Sequence, residues 1–290
     1  MDESTMRTMR LGEGDMAIAE ASAISATITG LWRYPVKSMQ GEELNAAEVT
    51  ERGAIGDRAY ALVDRETGKV ASAKNPRKWA RLFDFRAAYV EPPRAGAPLP
   101  PVRITLPDGT LTTSAAANAN AVLSEAIGRQ VTLASTSPEA PALEEYWPDI
   151  DGLTRRDELT DESMMKRTFF DAAVVHVLTT ATLDRLRTLY TEGRFEVHRF
   201  RPNLVLTPDA PQAGFIEDSW VGRTLVIGDV RIAVLRPSSR CVMTTLPQGD
   251  LPGDAGILRA AAKFHDAKVG VYGAVERGGT IRRGDAVRVE

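Results

Sequence analysis

The chain has one cysteine in 290 residues, Cys241, and that scarcity excludes several chemistries. No internal disulfide can form, a zinc site built on several cysteines is ruled out, and a self-contained iron–sulfur cluster, which needs about four thiolates, cannot be assembled. Histidine is equally sparse, with three residues. Long hydrophobic runs are missing, and no stretch approaches the ~18 continuous apolar residues of a membrane span. A dominant charge is missing too: the net charge is -3. There is therefore no global basic field to hold nucleic acid or an anionic membrane, and any anion site must be local. The sequence also has no P-loop, no dinucleotide-binding glycine fingerprint and no His-Glu-x-x-His pair. Residues 1–23 mix acidic and basic side chains without an apolar core. They read as a flexible tail rather than a signal or transit peptide, and the chain reads as cytoplasmic.

What is present is a succession of short β-branched runs separated by Gly, Pro and Asp. Ile24 to Trp32 alternates as a strand, and Pro35 then breaks it, so that Lys37 and Ser38 project from a strand end. Gly56-Asp57-Arg58 leads into the apolar run Ala59 to Val63. A charge entering a buried strand needs a partner, and either an Asp57 salt bridge or an anionic ligand would supply one. With further hairpins and a short helix over 115–127, residues 24–134 predict a β-rich unit of barrel or sandwich type. The acidic, Pro-rich stretch 135–152 reads as a linker or irregular lobe, and 153–290 as a second unit, mainly β with α/β elements.

In that second unit Phe170 to Leu178 reads as a strand and Thr182 to Tyr190 as a helix. Thr179 or Thr180 sits where a hydroxyl caps such a helix. His176 reads as a core histidine. Arg201-Pro202 interrupts an apolar run, which puts Arg201 and Asn203 at an element boundary. Thr224 to Leu235 reads as a hairpin about Gly228-Asp229, and Pro237 is expected to stop its second strand, so that Cys241 lies on a loop. Arg236, Arg240, Ser238, Ser239, Thr244 and Thr245 surround that thiol in sequence. Such a setting is expected to lower its pKa and favour the thiolate, the form that attacks electrophiles or binds metals.

Taken together, Tyr34-Pro-Val-Lys-Ser38, Gly56-Asp-Arg58, Arg201-Pro-Asn203 and Ser239-Arg-Cys-Val-Met-Thr-Thr245 resemble, in order and spacing, the MOSC proteins. They are most similar to the two-domain branch that includes the mitochondrial amidoxime-reducing components and their bacterial relatives. The resemblance implies an N-terminal β-barrel domain, a mixed β-barrel MOSC domain, and a molybdenum–pyranopterin cofactor (molybdopterin) between them. Carried onto this chain, it makes Cys241 the thiolate ligand to molybdenum. Lys37, Ser38, Arg58, Arg201, Asn203 and Ser239, beside Arg240, would hold the pterin and its phosphate. Thr179 and Thr180 match a pterin-contacting loop more loosely. A soft thiolate suits a soft metal centre, and guanidinium forks with a lysine suit a phosphate.

The implied activity is reduction of small N-hydroxylated or N-oxide compounds, with electrons from a separate reductase or electron-transfer protein. Pyridoxal phosphate is not expected, since no desulfurase domain is recognised. Asp250, Asp254 and Asp266 are the carboxylates nearest the site loop in sequence and stand as candidate proton sources. Two other readings fit one reactive cysteine: a sulfur or molybdenum-cofactor carrier with a Cys241 persulfide, and a barrel pair whose site no longer works.

Overall fold

The structure is a computed structural model and describes residues 24–290, so the tail expected over residues 1–23 lies outside it. Its centre is a closed barrel of seven strands: β1 (Ile24–Arg33), β2 (Val175–Thr179), β3 (Leu204–Pro208), β4 (Thr224–Ile227), β5 (Val230–Ser239), β6 (Lys268–Arg277) and β7 (Ala286–Val289). Around the barrel the order is β3-β2-β6-β5-β4-β7-β1, and β1 returns to β3. Closure leaves no barrel edge unpaired. The inward positions are those of the alternating apolar pattern, among them Ile28, Val177, Leu206, Leu225, Ile232, Val271 and Val287, all buried. β1 changes register between Ile28 and Gly30, and a Cβ at Gly30 would stand 3.2 Å from that of Val205. Glycine is what allows the bulged strand to lie this close to β3.

One parallel pair interrupts an otherwise antiparallel barrel. β2 and β3 run parallel, connected through helix α1 (Thr180–Leu189), as parallel neighbours require a crossover. Helix α2 (Gly256–His265) packs beside α1, with Leu183, Leu186, Ile257 and Ala261 in one apolar cluster. The fold is thus mainly β with α/β elements, as expected.

The amino-terminal stretch builds a second core from small sheets. Strand 61–64 pairs with 131–134, and strands 86–89, 102–105 and 111–113 form a meander. Leu62, Trp79, Phe85, Ile104, Leu123 and Val131 meet between them. β1, the first strand of that stretch, belongs to the barrel, and strand 46–50 pairs with 279–282. The two halves are therefore stitched together by strands from opposite ends of the sequence.

Three local expectations are corrected. The stretch expected as a linker, residues 135–152, contains strand 142–147, which forms a hairpin with 158–163. Pro237 does not end β5: the strand continues to Ser239, and register shifts on either side of Pro237 accommodate a residue that cannot donate to the ladder. β2 begins at Val175 rather than Phe170, which releases Phe170 and Asp171 to face a cavity.

Candidate functional site

The end of β1, the starts of β2 and β3, and the end of β5 lie together, and their loops enclose a cavity. Of the residues carried over from the resemblance, Lys37, Ser38, Arg58, Arg201, Asn203, Ser239, Arg240 and Cys241 all line it. Thr179 and Thr180 do not. Thr179 is fully buried; its Oγ1 accepts from the Thr182 N–H at 3.1 Å, capping α1, and donates to Glu217 Oε2 at 2.7 Å. Thr180 donates to Thr207 Oγ1 at 3.4 Å.

The loops are held by specific bonds. After β1 the backbone reaches φ 63° at Ser38, whose Oγ accepts from the Ala73 N–H at 3.1 Å. Buried Lys37 donates to the Phe169 carbonyl at 3.2 Å and ion-pairs with Asp171. Arg58 does not enter a strand: it sits at φ 46° in a turn. Its partner is Asp57, so the salt-bridge alternative is present, and Arg58 still faces the cavity.

Asp57 ties three segments together. Its carboxylate accepts from the Tyr34 N–H at 2.7 Å, from Asn203 Nδ2 at 2.9 Å and from Arg58. Asn203 Oδ1 accepts from the His176 N–H at 3.1 Å, which extends the tie to β2. Arg201 ends a short helical turn (Val197–Phe200) in left-handed geometry, φ 54°. Its guanidinium lies 4.2 Å from the Tyr34 ring centroid and donates to the Met39 carbonyl at 2.7 Å. Burial pushes its pKa down to about 10, which still leaves it charged at neutral pH.

Cys241 lies just beyond the end of β5, after Arg240, and occupies the N-cap position of a 3-10 turn (Val242–Thr245). Thr244 Oγ1 donates to the Cys241 carbonyl at 3.0 Å. Arg199, fully buried, braces the segment beyond with bonds to the carbonyls of Thr244, Leu246 and Pro252 at 3.2, 3.3 and 2.8 Å. Arg240 donates to Ser238 Oγ at 2.6 Å and to the Phe200 carbonyl at 2.9 Å, while its buried Nε has no partner.

The thiol does not behave as the neighbouring sequence implied. Burial, reinforced by the Glu145 carboxylate, pushes Cys241 up to about 11, against the pull of Lys74, the Met243 N–H and Arg240. The Arg residues adjacent in sequence are outweighed by desolvation and by a carboxylate 96 positions earlier in the chain, which no local pattern reveals. At neutral pH the free side chain is a thiol.

Sequence reasoning also missed Lys74, Glu145 and Asp171. Lys74 bonds Glu145 Oε2 at 2.9 Å and lies 3.6 Å from Asp171 Oδ2. Burial works against ionisation of Asp171, yet Lys37 and Lys74 overcome it and hold its carboxyl well below the usual range. The expected carboxylates lie elsewhere: Asp250 pairs with Arg194, Asp254 accepts from the Gly256 N–H, and Asp266 pairs with Lys268. In all, seven cationic side chains and two carboxylates line the cavity of a chain with net charge -3. That concentration of positive charge is chemically suited to an anion.

His176 is the satisfied core histidine expected, and it also lines the cavity. Its Nε2 stands 3.1 Å from the Val269 carbonyl, and burial, with Arg240 nearby, pushes its pKa down to about 3 from 6.5. The unfolded chain takes up this proton first, so stability falls as pH drops below 6.5 towards 3. The expected loss from this group is about 2 kcal/mol between pH 7 and pH 5. Urea unfolding across that range should show it, and His176→Gln should flatten the slope; an equal slope in the variant would place the acid sensitivity elsewhere.

The family comparisons agree with a closed barrel that carries a cation-lined cavity and a single thiol. The MOSC N-terminal beta barrel domain model matches residues 25–137, and the MOSC domain model matches residues 165–288. The chain is a two-domain MOSC protein. It is 24% identical to mitochondrial amidoxime reducing component 2 of Rattus norvegicus over 289 residues, covering 90% of this chain and 82% of that protein. It is 25% identical to mitochondrial amidoxime-reducing component 1 of Homo sapiens over 299 residues, with the same coverage. Among solved structures, the YUAD protein from Bacillus subtilis aligns with TM-score 0.45 and 11% identity, covering 92% of this chain and 97% of that one. Among the described residues no helix is long and apolar enough to cross a membrane.

Proposed function

We propose that this protein is a molybdenum-cofactor-dependent oxidoreductase that reduces N-hydroxylated or N-oxide compounds with electrons from a separate donor protein. The observation that carries the reading is the cavity itself, in which one thiol faces a wall of cations. The donor set fits a phosphorylated pterin. Lys37, Arg58, Arg201 and Arg240 supply charge, Ser38 and Ser239 supply hydroxyls, Asn203 supplies an amide, and the unpartnered Arg240 Nε is a spare donor. When bound, the cofactor would supply two-electron cleavage of an N–O bond, in which two electrons from the donor protein and two protons convert the oxygen to water.

The remaining work falls to the chain's own residues. Cys241 would bind the metal as thiolate, and a coordinated thiol loses its proton even where the free one titrates near 11. Lys37 and Arg201, fixed by Asp171 and by the Met39 carbonyl, would hold the phosphate without rearranging. Glu145 and Asp171, rather than Asp250, Asp254 or Asp266, are the carboxylates that line the cavity; Asp171, kept ionised by Lys37 and Lys74, would fix those two lysines, which leaves Glu145 as the carboxylate placed to relay a proton. A carrier that keeps a persulfide on Cys241 needs a reactive thiolate at neutral pH, and the raised thiol counts against it.

The test is expression with molybdate, then measurement of molybdenum and released pterin per mole of protein, then reduction of benzamidoxime with a chemical reductant. Near-stoichiometric metal and formation of benzamidine are expected. Protein free of metal and pterin from a cofactor-replete host would overturn the reading.

A further inference from the structure

Six of the seven cationic side chains of the cavity are already engaged. Arg58 is held by Asp57, Lys37 by Asp171, Lys74 by Glu145, Arg201 by the Met39 carbonyl, Arg199 by backbone carbonyls, and Arg240 by Ser238 and Phe200. All six are buried or half-buried. Arg236 differs on both counts: it is exposed, and its side chain makes neither a hydrogen bond nor an ion pair among the described residues, its strand pairing with Tyr272 being through the backbone. It is nevertheless held in place. His176, Tyr272 and Arg236 are cross-strand neighbours on β2, β6 and β5 and form a row along the cavity wall. The His176 and Tyr272 rings stand 5.7 Å apart, and the Arg236 guanidinium lies 5.0 Å from the Tyr272 ring centroid. The row runs from a buried neutral imidazole to a charged, solvent-facing end.

A guanidinium laid over an aromatic face keeps its fork of N–H donors free at the edge and is weakly hydrated. That is the geometry for a bidentate contact with a planar anion. The buried cations are the ones suited to a resident cofactor, whereas an exposed, pre-set cation at the rim meets what enters and leaves.

We infer that Arg236 sets the substrate class of this cavity, selecting N-hydroxylated compounds that carry a carboxylate elsewhere on the molecule. The inference rests on the reductase reading for the N-hydroxy group and on Arg236 alone for the carboxylate. It makes Arg236 a specificity residue, distinct from the groups that surround Cys241.

The experiment uses cofactor-loaded protein and two probes that differ only by a para carboxylate, benzamidoxime and 4-carboxybenzamidoxime. Their dissociation constants are measured by titration calorimetry for the native protein, Arg236→Gln and Arg236→Lys. A preference of about tenfold for the carboxylate probe is expected in the native protein, as for one bidentate charge-assisted contact. The ratio should fall to about one in Arg236→Gln and recover partly in Arg236→Lys. No preference in the native protein, or an unchanged ratio in Arg236→Gln, overturns the inference. Loss of pterin from Arg236→Gln also overturns it, because Arg236 would then belong to the cofactor. Turnover is followed in the same samples. An Arg236-dependent preference without reduction of either probe would remove the reductase reading and leave the anion selectivity standing.

Discussion

Cys241→Ser is expected to lower bound molybdenum and N-reductase activity together by at least about a hundredfold, while the protein still folds. Changes to groups that merely support a metal ligand cost 10–100-fold, and Cys241 is the ligand itself in this reading. A serine hydroxyl is a harder donor and resists deprotonation, so the metal loses its soft anionic contact. The fold should tolerate the change. Cys241 is half-buried after the last residue of β5, outside the apolar clusters that form the cores, and substitutions in such places usually stay within about 0.5 kcal/mol. Metal analysis and thermal unfolding on one preparation check both halves. A variant that keeps its molybdenum would remove Cys241 from the coordination sphere. A native protein that never carries metal, with no consequence of the substitution, would support the reading of a site that no longer works.

Asp57→Ala is expected to do the reverse and destabilise the protein by about 3–5 kcal/mol, the range for breaking a buried ion pair from one side. The carboxylate is buried and serves three donors on three segments: the Tyr34 N–H, Asn203 Nδ2 and Arg58. Its loss leaves Arg58 without a counter-ion and two further donors unpaired in a region with little access to water. Chemical denaturation measures the stability directly. Pterin content should fall with it, because the loops bearing Lys37, Arg58 and Asn203 lose their common anchor. A loss below about 1 kcal/mol would show that water replaces the carboxylate and that the loops are held by other contacts.

The pattern of residues made the barrel legible where neighbours along the chain decide the structure. Alternation gave β1, and Gly228-Asp229 marked the hairpin of β4 and β5. The loop motifs assembled around one cavity because each motif's residue types suit an anion on their own. What stayed hidden depends on partners far apart in sequence. Glu145 lies in an acidic, proline-flanked stretch that looks like a linker, and only its pairing with Thr160 across the hairpin and its bond to Lys74 give it a place. Asp171 looked like part of a strand until β2 proved to start at Val175. Thr179 offered a hydroxyl to a ligand in the sequence reading, but its cap on α1 and its bond to Glu217 use it internally. The thiol's acidity failed for the same reason: charges adjacent in sequence are visible, whereas desolvation by the assembled walls is not.

The way the barrel closes fixes when the site can exist during synthesis. β1 emerges from the ribosome first among the barrel strands, yet its two barrel neighbours are β3 and β7, made at Leu204–Pro208 and Ala286–Val289. Such long-range pairing is slow and waits for the distant strand. Lys37 and Cys241 therefore come to face one closed cavity only after β7 has been translated. A nascent chain shorter than β7 would hold an open barrel with β1 unpaired on one side, exposed to chaperones and to aggregation. On the proposed reading, a cofactor would enter this cavity only after β7 is in place, and so would join a formed barrel rather than guide its folding from the start.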